Sequence, residues 1–147
     1  MIPPTAEFRN RVTSLGIIRD AEYDAAGARR SVEHAVAVAK IRPAVRVSIF
    51  VLPDNSSRGM IETLCLDAIR QHFAVANELA CVEQFFACLE HGGVALPDAV
   101  RRAKNLAQAF LATKLEPQMF PGIAAYRGHW PFDSSVFEPL KQFLRSL

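Results

Sequence analysis

Asp20, Glu22 and Asp24 occupy alternate positions in the stretch GIIRDAEYD, directly behind a pair of apolar residues. Carboxylates in this pattern have two uses. If the chain stays extended past Arg19, a period of two turns Asp20 and Glu22 to one side. With a third carboxylate from the loop of an adjacent strand they make the oxygen-rich set that a hard cation such as Mg2+ or Mn2+ prefers. Glu62, in PDNSSRGMIE behind the next apolar run, is that third group. An ion so held orients a phosphate or acidifies a water. The plainer use is an acidic turn, with Asp20 or Asp24 capping the following helix. Glu62 then falls at N3 of its own helix if Gly59 is the N-cap, where an acid suits the dipole with or without a metal. Spacing leaves both uses open.

The other polar groups give weaker signals. Asp54 to Gly59 contains Asn55, Ser57 and Arg58 just ahead of a helical period, where backbone amides at a helix N-terminus bind phosphate. The loop carries neither GxGxxG nor GxxxxGK[ST], which disfavours the usual nucleotide folds. No serine sits in GxSxG, and no histidine has a neighbour at metal-ligand spacing. His34, His72 and His91 fall on or at the ends of helices, and His129, beside Trp130, reads as packing of the tail. Lys104 follows Arg101 and Arg102, a cation run that is a solvated helix face unless the fold returns it to the strand ends.

The elements that must position these groups follow from periodicity. VTSLGIIR, 12–19, reads as a strand covered on both faces. In ARRSVEHAVAVAKI the apolar residues Val32, Ala35, Val36 and Ala39 form a helical stripe that Pro43 ends. VRVSIFVL, 45–52, is the strongest strand, closed by turn formers. Strand, helix, strand with short connections is a βαβ unit with parallel strands. In an open parallel sheet the zone just beyond the carboxyl ends of the strands is where ligands bind, and both polar segments lie there. From Met60 the period is helical, with Ile61, Leu64, Cys65, Ala68, Ile69 and His72 on one face. VANELACVEQFFACLEHGG and LPDAVRRAKNLAQAFLATK read as two more helices, the second with Pro97 in its first turn. The tail after Pro117 is turn-rich and ends in a short helix starting near Ser134 or Ser135. The fold class is α/β: a small parallel sheet of Rossmann-like βαβ type with a largely helical C-terminal half, in a single domain over 1–147.

Composition narrows the class. Of 147 residues, 50% are hydrophobic and 22% charged, the mix of a packed globular domain. A net charge of +2 is far from the basic stripe that announces nucleic-acid binding by itself. Three cysteines without CxxC spacing support neither a disulfide framework nor a zinc knuckle. Cys81, Phe85 and Cys88 share a helical face, where a thiol reads as a small core hydrophobe. No apolar run spans a bilayer and no signal peptide opens the chain, so the expected location is the cytoplasm, away from membranes.

Four segments, SLGIIRDAE, SIFVLPDNSSRGMIETLC, RAKNLAQAFLATK and GIAAYRGHWPFDSSVFEPLKQFL, together resemble a bacterial family of uncharacterised proteins related to Toprim domains, nearest to those of OLD-type nucleases. The resemblance covers nearly the whole chain. Toprim domains hold magnesium near a phosphodiester with a glutamate on an early strand and a DxD motif after a later one. By that resemblance DAE occupies the DxD position, so Asp20 and Glu22 are metal ligands. Glu62 matches the additional glutamate of the OLD branch, and Lys104 a lysine that contacts phosphate. The implied activity is Mg2+- or Mn2+-dependent cleavage of DNA or RNA. The early strand, with glutamate before glycine, has no counterpart ahead of Val12, since Glu7 has neither an apolar strand before it nor a glycine after it. Two expectations follow: a product that starts further upstream, or a domain without that strand. In the second case uncovered strands need burial, and a non-catalytic binding or assembly module forming a homo-oligomer is the alternative.

Overall fold

The computed structural model describes residues 11–117 and 120–147, so Glu7 and most of the proline-broken lead-in lie outside the described residues. The expected βαβ unit is present. Strand β1 (Ser14–Asp20) pairs in parallel with β2 (Arg46–Leu52), in a register running from Ser14 opposite Arg46 to Asp20 opposite Leu52. Between them runs helix α1 (Ala25–Val38). Asp24 is its N-cap, accepting from the Gly27 amide at 2.9 Å. These two strands are the whole sheet among the described residues.

Alternation along β2 explains how so small a sheet is anchored. Phe50 and Leu52 enter the main core, while Val51 and Ile49 turn to the other face and meet Ala21, Ala25 and Ala28. Covering on both faces, expected for the first strand, is found at β2 instead. β1 is only half-buried, and Ile18 and Arg19 are exposed. The helical core reaches the sheet through β2, whereas Gly16 of β1 lies against the C-terminal Leu147, close enough that an added methyl group would overlap its side chain.

The remaining elements form a helical mass beside β2. Helix α2 (Ile61–Gln71) packs against both α3 (Phe73–His91) and α4 (Ala99–Ala112), which also touch each other. Its face Leu64, Cys65, Ala68 and Ile69 is buried as its period requires. Short helix α5 (Pro121–Tyr126) follows, then a 3-10 turn at Ser135–Phe137 that runs into α6 (Glu138–Arg145). Phe110 of α4 lies fully buried and stacks on Trp130 at 6.1 Å, and the Trp130 indole donates to the Pro121 carbonyl at 2.9 Å. Phe143 of α6 meets Phe50 at 5.4 Å and closes the core over β2.

Four expectations change. Cys81, Phe85 and Cys88 are exposed, because α3 turns the adjacent stripe Leu79, Val82 and Phe86 inward. A helix with two apolar stripes can bury either, and contact with α2 and α4 selects one. Pro97 lies ahead of α4 rather than within its first turn, and Asp98 caps the helix through the Val100 and Arg101 amides. The tail read as turns contains α5, which Pro121 starts from its first position. Ala35 and Ala39 of the expected α1 stripe are exposed, and the buried residues of the helix are Ala25 and Val32, with Ala28 packed on the small core beneath.

Phe110→Ala is expected to cost about 3–5 kcal/mol in urea unfolding, the usual result for a buried aromatic. Phe85→Ala, on the exposed stripe, is expected to cost under about 1 kcal/mol. Equal losses would place Phe85 in the core after all.

Candidate functional site

Both strands end in loops that are tied together. The Ala21 amide extends the ladder by donating to the Leu52 carbonyl at 3.0 Å. Glu22 and Gly59 then form an antiparallel bridge, each amide donating to the other's carbonyl at 2.8 Å. The chain therefore leaves extended geometry at Glu22, which takes a left-handed conformation with φ of 51°. Asp20 and Glu22 do not simply continue the strand alternation. The Asp20 carboxylate instead accepts from the Ile61 amide at 2.9 Å, at the first turn of α2. There a negative charge satisfies an orphan donor and faces the positive end of the helix dipole.

Helix α2 begins one residue later than a Gly59 cap would give. Met60 is its N-cap, with its amide donating to the Thr63 hydroxyl at 3.2 Å, and Glu62 stands at N2 instead of N3. Glu62 is 8% exposed and is the one charged residue buried among the described residues. Its carboxylate makes no hydrogen bond or ion pair among them. The neighbouring Cys65 thiol is pushed up to about 12, first by its own burial and then by the Glu62 charge. Glu62 lines a hollow of about 270 Å³ whose other wall carries Lys104 and Gln108 of α4, with Phe120 at the rim. Lys104 also lines a second hollow of about 440 Å³ that contains Glu22. The fold thus returns the cation run of α4 to the strand ends. Lys104 borders both the hollow that contains Glu62 and the one that contains Glu22, while the Asp20 carboxylate sits on the first turn of α2.

The segment 54–58 behaves differently. Asp54 accepts from the Ser56 and Ser57 amides at 2.9 and 2.6 Å and from both hydroxyls. The Asn55 side chain accepts from the Val51 amide and from Arg29. The donors that a phosphate would need at Ser57 are therefore taken by the loop's own carboxylate, and Asn55 is spent on holding the loop. Arg58 is the exception. It has no hydrogen-bond or ion-pair partner among the described residues and lines a third hollow, of about 430 Å³, with Tyr23, Arg70 and Arg102.

A family model described as a protein of unknown function, DUF3226, matches residues 3–147. The chain belongs to the DUF3226 family. Comparison with curated proteins and with solved structures finds no match.

Among the described residues of this DUF3226 chain, no three histidine, cysteine, aspartate or glutamate side chains are grouped to hold a metal ion. A closed three-carboxylate cage of Asp20, Glu22 and Glu62 is not formed. Magnesium commonly takes only one or two carboxylates and completes its shell with water and substrate phosphate. The Glu62 carboxylate, which opens onto the hollow without a hydrogen bond among the described residues, and the second oxygen of Asp20, which has none either, suit that open arrangement. Three residues that line the hollows were missed from sequence. Tyr23 sits inside the acidic stretch itself, and Arg101 and Arg102 belong to the cation run read as a solvated face. The only available signal was their adjacency to Glu22 and Lys104.

Two consequences are measurable. Gly59 has a φ of +138°, and a Cβ there would stand 2.8 Å from the Thr63 hydroxyl. Gly59→Ala is expected to cost about 1–3 kcal/mol by denaturant unfolding. Burial raises the Asp54 pKa, but the bonds from Ser57 and Ser56 outweigh it and bring the carboxyl to about 2. Since that lies below the ordinary value of 3.8, the stabilisation is complete above about pH 4 and is lost as pH falls towards 2. Between pH 4 and 2 the wild type is expected to lose more stability than Asp54→Asn, as read from melting temperatures across that range.

Proposed function

We propose that this chain is a Toprim-type phosphodiesterase or nuclease that acts on DNA or RNA with Mg2+ or Mn2+. Glu62 carries the reading. A carboxylate that opens onto a hollow without a protein donor keeps its oxygens for a cation, and a hard ion such as Mg2+ takes one or two such groups. Glu62 is buried, lacks a partner among the described residues, and lines a hollow opposite a lysine.

Asp20 and Glu62 would hold the ion, with Glu22 in reach of the same loop system. When bound, the ion supplies charge stabilisation to a phosphoryl oxygen and lowers the pKa of a water. The Asp20 bond to the Ile61 amide fixes that carboxylate without using its second oxygen. Lys104, exposed between the two hollows, offsets negative charge as it develops on the phosphate. Arg58 contacts a neighbouring phosphate, whereas Asn55 and Ser57 leave the set because their groups are engaged. Free Cys65, Cys81 and Cys88 suit a reducing cytoplasm. No helix among the described residues is long and apolar enough to cross a membrane.

One observation favours the alternative, a self-associating module without catalysis. The sheet has two strands, so each has an outer edge unpaired among the described residues, and Ile18 is exposed on β1.

The test is nicking of plasmid and of labelled oligonucleotides with Mg2+ or Mn2+. Asp20→Asn and Glu62→Gln are expected to lower the rate at least about 100-fold while remaining folded. Millimolar Mg2+ should raise the wild-type melting temperature but not that of Glu62→Gln. Full nicking by Asp20→Asn would sink the nuclease reading. A stable dimer in light scattering with neither nicking nor a metal-dependent shift would establish the module.

A further inference from the structure

The three hollows adjoin one another along α4 through shared lining residues. The first (Arg58, Arg70, Arg102, Leu66) and the second (Glu22, Arg101, Asn105) share Tyr23 and Val100, while the second and third (Glu62, Gln108) share Lys104. Val100, Lys104 and Gln108 are four residues apart on α4, so one helix face forms the floor of a trough that passes Glu22 and ends at Glu62.

Three features of this trough suit a splayed polynucleotide strand. Its cations are placed along its length: Arg58 at one end and Lys104 towards the other, neither with a hydrogen-bond or ion-pair partner among the described residues. Arg102 also lines the first hollow, with its terminal nitrogens given to Glu90. Tyr23 stands between the first two hollows, 45% exposed, with its hydroxyl bound to Asp98 at 3.0 Å. That bond holds the ring in place and occupies Asp98, the acid at that end. Leu66, Val100 and Leu106 make the wall below apolar. A base has an apolar face and a phosphate on either side, which is the alternation found here. A duplex keeps its bases stacked inside and offers this trough only phosphates.

We infer that the trough along α4 binds a single-stranded nucleic acid, with one base stacked on Tyr23 and flanking phosphates on Arg58 and Lys104. This rests on the proposed function for its substrate class and extends it to residues not otherwise assigned. It is tested without metal, so that its failure is separable from failure of the nuclease.

The experiment is fluorescence anisotropy in EDTA with the full chain and fluorescein-labelled 12-nucleotide single strands of DNA and of RNA, against the matching duplex. The expected result is tighter binding of single strands. The logarithm of the affinity should fall with the logarithm of salt at a slope near −1.4, about 0.7 for each of two neutralised phosphates. Arg58→Gln and Lys104→Gln should each remove about 0.7 from that slope. Tyr23→Leu should weaken binding about tenfold without changing the slope, as loss of one stacked base does, and Tyr23→Phe should retain it. Tighter binding of RNA than DNA, or the reverse, names the strand and supports the trough either way. Duplex preferred over single strand, unchanged affinity in a folded Tyr23→Leu, or no binding of any single strand would overturn it. If Asp20→Asn binds like the wild type and neither nicks, the trough stands and the nuclease falls. If nicking proceeds while Tyr23→Leu binds and nicks as the wild type does, the trough falls and the nuclease stands.

Discussion

The arrangement depends on the tie between the two loops beyond the strands. Glu22 and Gly59 exchange both backbone hydrogen bonds, and Asp20 reaches across to the first amide of α2. A two-stranded sheet has little surface with which to orient a helix. Here the orientation of α2 comes from its own N-terminus, held by a strand-end carboxylate and a two-bond bridge. Because α2 packs against α3, α4 and the 3-10 turn, its direction sets that of the helical half. The residue conformations at the tie reflect the constraint: Glu22 in the left-handed region, and Gly59 at a φ that side chains rarely adopt.

The same tie explains which acids are free. Two carboxylates compete for positive ends in this region, and each finds the nearest. Asp54 is two and three residues from the Ser56 and Ser57 amides and closes on them locally. Asp20 takes the Ile61 amide from 41 residues away. Glu62, one residue further into α2, has its backbone inside the helix and its side chain pointing to the α4 side, where no donor among the described residues meets it. Its position beside the hollow is thus a consequence of how α2 is held.

Much of this was legible in sequence, and the limits are physical. Strand β2, the buried face of α2 and the cap at Asp24 follow from period and side-chain chemistry within one element. Asp20 was an ambiguous acid because its partner is a backbone amide 41 residues on, and no local pattern encodes that distance. The stripe of Cys81, Phe85 and Cys88 looked buried because it is apolar, but which of two stripes faces inward is decided by the neighbouring helices. The loop 54–58 looked like an anion site because its amides precede a helix. Its own aspartate was the anion, a self-satisfied turn that composition alone does not separate from a binding loop.

Net charge conceals the polarity that matters most here. A total of +2 promises no nucleic acid, yet the described residues set the acids Asp20, Glu22 and Glu62 at the strand ends and Arg58, Arg102 and Lys104 along the adjoining helix and loop. Opposite charges gathered on one face cancel in the total, so the overall balance does not report their placement. Lys104 lies at the point where the two sets meet. Arg102 of α4 and Lys114 just beyond its end pair across to Glu90 and Glu78 of α3. Lys104 and Arg58 lack such partners among the described residues and stand over hollows instead, the arrangement that a bound phosphate would complete.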